Sequence, residues 1–177
     1  MGSVKTPEPV LLFISTLYCY EDAFNRSREI LEKNFGEILF TSPTLPWNYS
    51  TYYKDEIGWP LLRQFIFFQN LIDPGLLSDI KLKTNEIEVS LSSEGKRSIN
   101  LDPGYLTLSN IVLASSKNYA HRIYLGKGIY GEITLIYKDD TYKPHLFTYR
   151  DYQDKTHIDV FLKARGMLKK MMVVPLL

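Results

Sequence analysis

The segment from Arg97 to Tyr152 holds most of the side chains in this sequence that could bind a ligand or move a proton. Arg97, Lys117 and Arg122 could gather around an anion, because a guanidinium offers a planar fork to phosphate or carboxylate and an ammonium acts as a point charge. Glu132 could orient Arg122 or act as a general base. These residue types therefore predict a site for a small anionic ligand.

His121 is a second candidate for proton transfer, although a lone His on the apolar side of a strand is more often a satisfied core residue. The remaining candidates are carboxylates and phenols that could line the same pocket. They are Asp102, Tyr105, Tyr124, Tyr130 and Asp151. Asp102-Pro-Gly-Tyr105 also fits a type II turn, with Pro second and Gly third, and such a turn would present Asp102 and Tyr105 together.

Most other catalytic sites are excluded or weakly supported. The chain has no Gly-x-x-x-x-Gly-Lys-Ser/Thr motif, which excludes a P-loop nucleotide site, and no Gly-x-Ser-x-Gly motif. Its three His residues lack His-x-x-x-His spacing and there is no pair of Cys residues, so we predict no metal site. The alternative is a Mg²⁺ ion held with a phosphate ligand by Asp102, Glu132 and Asp151. The sequence indicates no particular cofactor.

The composition indicates one globular domain. Of the 177 residues, 45% are hydrophobic and 23% charged, which suits one core and is too little chain for two ordinary domains. The net charge of +1 gives no general attraction to nucleic acid or membranes. The charge is uneven, with 8 Lys/Arg against 12 Asp/Glu up to Ser90 and 13 against 8 from Leu91 onward. The candidate site thus lies in the basic half, which favours an anionic ligand.

The single cysteine, Cys19, cannot form a disulfide within the chain, which is typical of a reduced, cytoplasmic protein. We find no signal peptide and no apolar segment long enough to span a bilayer, so we expect no membrane association. The sequence does not indicate an oligomeric state.

Hydrophobic periodicity predicts an α+β domain with a mainly antiparallel sheet and about three helices, packed on one face of the sheet. This single domain spans residues 1–170, and an apolar tail follows at residues 171–177. The strands are expected at residues 10–17, 38–41, 63–72, 98–101 and 106–115, and the helices near residues 21–35, 73–91 and 156–169. Residues 42–59, rich in Trp, Tyr and Pro, predict a long aromatic loop with short strand pieces, which either serves as a lid or covers the core.

Residues 120–137 predict a β-hairpin with the turn Gly126-Lys-Gly128. A three-residue turn separates a polar face from an apolar face, and it places Arg122 opposite Glu132. The polar face also carries Tyr124, Tyr130 and Thr134, and the apolar face carries His121, Ile123, Leu125, Ile129, Gly131 and Ile133. A cross-strand ion pair adds roughly 0.2–1 kcal/mol to a sheet and needs no function, so the pair alone does not establish a site.

Taken together, these residues resemble an uncharacterised prokaryotic family, domain of unknown function 4416, over nearly the whole chain. The resemblance rests on Tyr52-Tyr53 with Glu56-Ile-Gly58, Arg63, Lys81 with Thr84-Asn85, Arg97 with Asn100 to Tyr105, Lys117, His121-Arg-Ile-Tyr124, Gly128-Ile-Tyr130 with Glu132 and Thr134, and Thr148-Tyr149 with Asp151-Tyr152. Members are sometimes labelled GTP-binding proteins, but a chain without a P-loop gives that label little support. If those positions define the family, the polar face is more than a solvated hairpin.

Our leading hypothesis is a cytoplasmic protein with a polar pocket for a small anionic ligand, phosphorylated or nucleotide-like, whose turnover is left open. One alternative is a module for single-stranded RNA, because exposed Tyr residues in a basic half could stack on bases. The other is a scaffold protein that uses the aromatic loop and the apolar tail.

Overall fold

The computed structural model describes residues 2–173. Within them, nine strands form one antiparallel sheet, and three helices pack against it, which confirms the predicted α+β class. The strands are β1 (Val10–Tyr18), β2 (Ile38–Thr41), β3 (Leu45–Trp47), β4 (Leu61–Ile72), β5 (Ile99–Leu106), β6 (Asn110–Ser115), β7 (Ile123–Gly126), β8 (Ile129–Lys138) and β9 (Thr141–Lys143). The helices are α1 (Glu21–Phe35), α2 (Leu77–Ser90) and α3 (Lys155–Val173), and short 3-10 turns at Pro74–Leu76 and Asp151–Gln153 precede α2 and α3.

The strand order across the sheet is β2-β4-β1-β5-β6-β8-β7, with β3 paired to β4 and β9 paired to β8. Every residue of β1 is buried, as expected for a strand between two others with helices on both sides. The strands β4, β1 and β5 therefore form a rigid centre from which side chains of the candidate site project.

Helices cover both faces of the sheet, so the predicted packing on one face is wrong. Phe24 of α1 and Ile87 of α2 belong to the apolar cluster on one side. On the other side, the ring centroid of Phe161 in α3 lies 5.1 Å from that of Phe13 and 4.9 Å from that of Phe65. The central strands are apolar on both faces, and two layers of helix are needed to remove both faces from water.

The predicted turn at Asp102–Tyr105 is also wrong, because these residues lie inside the strand β5. Pro103 and Gly104 pair with residues of β1, and the reverse turn comes later, between Leu106 and Asn110. A Cβ on Gly104 would lie 2.5 Å from the Val112 carbonyl oxygen and 2.6 Å from Cζ of Phe13. Gly104 is therefore explained by a close approach to its neighbours and not by turn geometry.

The β7–β8 hairpin keeps the predicted register through a different turn. Lys127 and Gly128 form a two-residue turn, both with the positive φ that such hairpin turns require. A bulge at Leu125 then restores the pairing of Tyr124 with Tyr130. One extra residue in the strand thus has the same effect on register as one extra residue in the turn.

Away from its turn, the polar face of this hairpin is the buried one. Glu132 and Thr134 are buried, whereas Ile123, Leu125 and Ile133 are exposed. A hairpin with one solvated face normally exposes its polar side. The reversal indicates that the polar face lines an interior feature of the protein.

The helix α3 extends through Val173, so the first three residues of the predicted apolar tail are helical. Its remaining residues, 174–177, lie outside the described part of the chain. No helix within residues 2–173 is long and apolar enough to cross a membrane.

Candidate functional site

The candidate site occupies a split in the sheet between β5 and β6. These strands pair only from Gly104 to Leu106, opposite Ile111 to Leu113. Beyond Gly104, the next residue along β5 is Pro103, which has no N–H to continue a ladder. The strand β6 continues as a partner of β8 alone, and a cavity fills the space between the two parts of the sheet.

Side chains of α2 take the place of the missing strand beside β5. Lys81 Nζ donates to the Leu101 carbonyl oxygen at 3.0 Å, and the Leu101 N–H donates to Glu88 Oε1 at 2.5 Å. Both side chains are buried and reach the strand edge from the helix. A buried backbone edge must find partners for its polar groups, and here two charged side chains supply them.

The cavity has a volume of about 540 Å³ and is lined by six cationic side chains and four carboxylates, together with aromatic and neutral polar groups. The cations are Arg63, Lys81, Arg97, Lys117, Arg122 and Arg150, and the carboxylates are Glu88, Asp102, Glu132 and Asp151. Four of the six cations contact these carboxylates directly. The cavity is thus lined by ion pairs with a small cationic excess.

Arg122 makes four side-chain hydrogen bonds, as many as Arg97. Its Nε donates to Glu132 Oε2 at 2.6 Å, its Nη1 donates to Ser115 Oγ at 2.9 Å and to the Lys117 carbonyl oxygen at 2.8 Å, and its Nη2 donates to the Tyr149 hydroxyl at 2.5 Å. The guanidinium therefore joins three segments of the chain. This network confirms the predicted contact between Arg122 and Glu132.

His121 supports the same carboxylate from outside the cavity. Its Nε2 lies 2.9 Å from Glu132 Oε2, and its ring stacks on Phe147 at a centroid distance of 4.5 Å. The residue precedes β7, where the chain no longer follows the alternation of the strand. His121 thus contacts the polar network despite its predicted position on the apolar face.

The Arg63 side chain is buried like that of Arg122, but it is only partly bonded. Its Nη1 lies 2.6 Å from Asp151 Oδ2, and its guanidinium lies between the rings of Trp47, Phe65 and Tyr152 at 5.6–5.8 Å from their centroids. Its Nε is buried and has no hydrogen-bond partner within residues 2–173. A buried charged donor without a partner is costly and is rare in native structures.

The carboxylates of Asp102 and Glu88 have pKa values shifted in opposite directions. Burial alone would raise the pKa of Asp102, but the Lys81 ammonium at 3.0 Å, Arg63 and the Asn100 amide together hold it below its ordinary value. For Glu88, burial is the larger effect and raises the pKa above its ordinary value. Asp102 is therefore a stable negative charge at neutral pH.

The aromatic loop forms another wall of the cavity through Tyr49, Tyr52 and Tyr53. One end is held by Arg97, whose Nε and Nη2 donate to the two carboxylate oxygens of Glu56 at 2.6 and 2.8 Å. Closer to the middle of the loop, Lys117 Nζ lies 5.3 Å from the centroid of the Tyr52 ring. That this loop acts as a lid stays a prediction.

Six of the ten side chains proposed from the sequence line this one cavity. They are Arg97, Asp102, Lys117, Arg122, Glu132 and Asp151. His121 reaches the cavity only through Glu132. The roles assigned to these residues stay predictions, since their convergence alone does not show binding or catalysis.

Three predicted lining residues do not line the cavity. Asp102 and Gly104 lie on one face of β5, and Tyr105 lies on the opposite face, where it packs near Leu77 and Val112. Tyr124 and Tyr130 pack on each other at a centroid distance of 5.3 Å near the hairpin turn. Tyr124 is 60% exposed, so the hairpin presents it to solvent and not to the cavity. The corrected lining therefore contains none of these three tyrosines.

Sequence reasoning missed Arg63, Lys81, Glu88 and Tyr149 as lining residues. A signal existed for three of them. Arg63 is the one charged residue of the largely apolar strand β4 and lies near its start. Lys81 and Glu88 share the buried face of α2 with Leu77 and Thr84, at helical spacing. A charged residue in a buried pattern is more informative than a charge in a polar one.

Within residues 2–173, no group of three or more His, Cys, Asp or Glu side chains is arranged to hold a metal ion. A family model described as "Domain of unknown function (DUF4416)" matches residues 8–167 of the chain. No curated protein and no protein of solved structure matches it.

Proposed function

The chain belongs to this family of unknown function, and we propose that its cavity binds a small ligand with a phosphate or carboxylate group. The volume of about 540 Å³ lies within the ~300–1,000 Å³ common for small-molecule sites. The ion pairs that line the cavity give it fixed, oriented charges. Such charges bind a polar ligand without first having to be arranged.

The observation that carries this proposal is the incomplete bonding of Arg63. Arg97 and Arg122 are each bonded to carboxylates and to neutral oxygens, which leaves them little capacity for a further acceptor. Arg63 lines the cavity, is buried, and has an unpartnered Nε and a single carboxylate contact. The Nε itself is enclosed by protein, so an anion in the cavity would bind the part of the guanidinium that lines it and add acceptors there.

The cavity also has cations at its open side. Lys117 and Arg150 are exposed lining residues and take part in no ion pair within residues 2–173. Unpaired cations around a cavity that is otherwise neutral attract anions and raise their rate of entry. This distribution favours Arg63 as the inner contact and these two residues as outer contacts.

The test is a thermal-shift screen of the full chain against inorganic phosphate, pyrophosphate, sugar phosphates, nucleotides and dicarboxylates. A ligand at 100 times its Kd stabilises the folded state by ~2.7 kcal/mol. We expect at least one anion to raise Tm, and we expect Arg63→Lys to weaken its binding at least about tenfold, because Lys keeps the charge and loses the fork.

The matched control is Arg26→Lys, a change of the same kind on the exposed surface of α1. It should bind the anion as the wild type does. The proposal is wrong if no compound in the screen raises Tm, or if Arg63→Lys and Arg26→Lys respond alike.

Single-stranded nucleic acid is a second candidate, favoured by one observation. Tyr52 and Tyr149 are 67% and 47% exposed, and they stand at the cavity beside Lys117 and Arg150. Exposed rings next to cations suit base stacking with phosphate contacts. Filter binding of a single-stranded RNA over a salt series tests this candidate, because phosphate contacts make the affinity fall steeply with salt. RNA bound at the surface does not need Arg63, so Arg63→Lys should leave this binding unchanged.

A further inference from the structure

We propose that the ligand carries a hydrogen-bond donor, either hydroxyl or ammonium, near its anionic group, and that Asp102 receives this donor. The inference rests on the proposed function and adds the chemical class of the ligand. It makes the expected compound a phosphorylated or carboxylated polyol or amine, as opposed to a bare anion.

The first ground is the exposure of Asp102. Among the four carboxylates that line the cavity, the side chain of Asp102 is 37% exposed, against 7% for Glu88, 7% for Asp151 and 2% for Glu132. The other three direct their oxygens at protein donors. Asp102 is therefore the carboxylate with surface left for a ligand.

The second ground is the remaining acceptor capacity of Asp102. Its Oδ1 accepts from Lys81 Nζ at 3.0 Å and its Oδ2 accepts from Asn100 Nδ2 at 2.7 Å. A carboxylate can accept about four hydrogen bonds, so roughly two positions stay open. Lys81 and Asn100 both hold the group from the protein side, and Lys81, Arg63 and Asn100 favour its charged form.

The third ground is the position of Asp102 relative to Arg63. The strand β1 lies between β4, which carries Arg63, and β5, which carries Asp102. Neighbouring strands are ~4.8 Å apart, so the two backbones are separated by roughly 10 Å across the sheet. Both side chains line the same cavity, and a small molecule can contact both groups at once.

These grounds together constrain the ligand. An anion bound at Arg63 meets the negative charge of Asp102 across the cavity, and like charges in a partly enclosed site repel each other. A ligand that places a hydroxyl or ammonium hydrogen at Asp102 turns this repulsion into a charge-assisted hydrogen bond. The cavity thus discriminates among anions by what else they carry.

The test is isothermal titration of the full chain with three probes that share a phosphate monoester. Ethyl phosphate has no donor on its carbon chain, glycerol 3-phosphate has hydroxyls, and phosphoethanolamine has an ammonium group. We expect glycerol 3-phosphate or phosphoethanolamine to bind at least about tenfold more tightly than ethyl phosphate. Which of the two binds more tightly identifies the donor as hydroxyl or ammonium.

Asp102→Asn should reduce the difference in affinity between the donor-bearing probe and ethyl phosphate. The variant should lose most of the advantage of the donor-bearing probe and bind ethyl phosphate more tightly than the wild type does, because the repulsion is removed. Asp55→Asn, an exposed change in the aromatic loop outside the cavity lining, is the matched control and should keep the wild-type order. The ratio of affinities in the wild type tests the inference even if Asp102→Asn does not fold.

The outcomes separate the two proposals. Equal binding of all three probes to the wild type overturns this inference and leaves the anion site in place. The inference is also overturned if a folded Asp102→Asn variant keeps the full preference of the wild type. If none of the three probes binds, this inference is overturned, and if in addition no anion of the thermal-shift screen raises Tm, the anion site is contradicted as well.

Discussion

An arginine, a carboxylate and a histidine occur together on each of two sides of the cavity. The two sets differ in how completely their polar groups are hydrogen-bonded. On the wall formed by β6 and β8, Arg122 makes four hydrogen bonds, one of them to Glu132, and His121 contacts the same carboxylate. On the wall formed by β4, the 3-10 turn before α3 and the start of α3, the one ion pair of Arg63 within residues 2–173 is with Asp151, and its Nε has no hydrogen-bond partner there.

The histidines repeat this contrast. His121 is bonded to Glu132 and stacked on Phe147. His157, packed 5.5 Å from the Phe65 ring near Arg63, is buried, and within residues 2–173 neither of its ring nitrogens has a hydrogen-bond partner. The polar groups of the wall around Arg122 are therefore hydrogen-bonded, whereas the wall around Arg63 contains buried polar groups that have no partner within residues 2–173.

This difference separates a structural network from a binding surface. A fully bonded guanidinium fixes the segments that it joins, and a further ligand gains little from it. A partly bonded, buried guanidinium reduces stability while the cavity contains no ligand and can recover that loss when an anion binds. Arg122, which the sequence suggested as the anion contact, is thus better explained as the residue that positions the wall opposite Arg63.

The largest effect is expected from removing each pair in a matched way. Arg122→Met with Glu132→Gln should lower the free energy of unfolding by about 2–4 kcal/mol, because several hydrogen bonds of roughly 0.5–1.5 kcal/mol each are lost. Arg63→Met with Asp151→Asn should stay within about 1 kcal/mol of the wild type, because a buried ion pair with a poorly bonded Arg63 contributes little net stability and the new amide can still accept from Trp47 Nε1. Urea unfolding with unchanged m-values measures both.

Each double variant removes both charges, so neither leaves a carboxylate unpaired in the interior. Equal losses in the two variants, or a larger loss from the Arg63 pair, would remove the contrast between the walls. The Arg63 variant should in addition lose the thermal shift produced by any anion that binds the wild type.

A smaller effect is expected at the end of the split, where β5 and β6 begin to pair. Gly104→Ala places a Cβ 2.5 Å from the Val112 carbonyl oxygen, so β5 and β6 must move apart, at a cost of about 1–3 kcal/mol. Gly166→Ala in α3 is the matched control, since nothing lies within 4 Å of its added Cβ. That change should stabilise the helix by about 0.5–1 kcal/mol. If both substitutions stabilise the protein, close packing does not fix the end of the split.

Much of the fold follows from local patterns in the sequence. Glu21 and Asp22 in the first turn, with Gly36 after the last turn, bound α1 as predicted. The alternation of polar and apolar residues predicted the register of the β7–β8 hairpin, although the turn itself is shorter. Periodicity is reliable here because burial acts on whole faces, and a slip of one residue exchanges the faces.

The site was less predictable because it depends on contacts between distant segments. Pro103 and Gly104 have the chemistry of a turn, and only pairing with β1 and the nearby Phe13 ring place them in a strand. Arg63 lies next to Asp151 across 88 positions of sequence, and no local pattern encodes that distance. The strand topology determines which side chains meet across the split sheet. A single sequence indicates such side chains only as charged residues within apolar segments.

The smallest effect is expected from His157. The pH dependence of the free energy of unfolding tests how strongly the surroundings of Arg63 disfavour the protonated form of this buried ring. Burial first, and then Arg63, lower the pKa of His157, although Asp151 and Asp154 partly oppose this. The folded state therefore keeps His157 neutral, while the unfolded chain gains a proton near the ordinary pKa of ~6.5. Because the unfolded state then binds more protons, His157 reduces stability as the pH falls below ~6.5, by at most about 1.4 kcal/mol per pH unit.

His157→Phe should remove this contribution, because Phe fills the same apolar surroundings and does not titrate. Free energies of unfolding at pH 7.5 and 5.0 should fall more in the wild type than in the variant. Acidic groups that titrate lower in pH are common to both proteins and cancel in the comparison. An identical decrease in both proteins would mean that protonated His157 finds a hydrogen-bond acceptor in the folded state. The wall around Arg63 would then be as well bonded as the one around Arg122, and the distinction between them would fail.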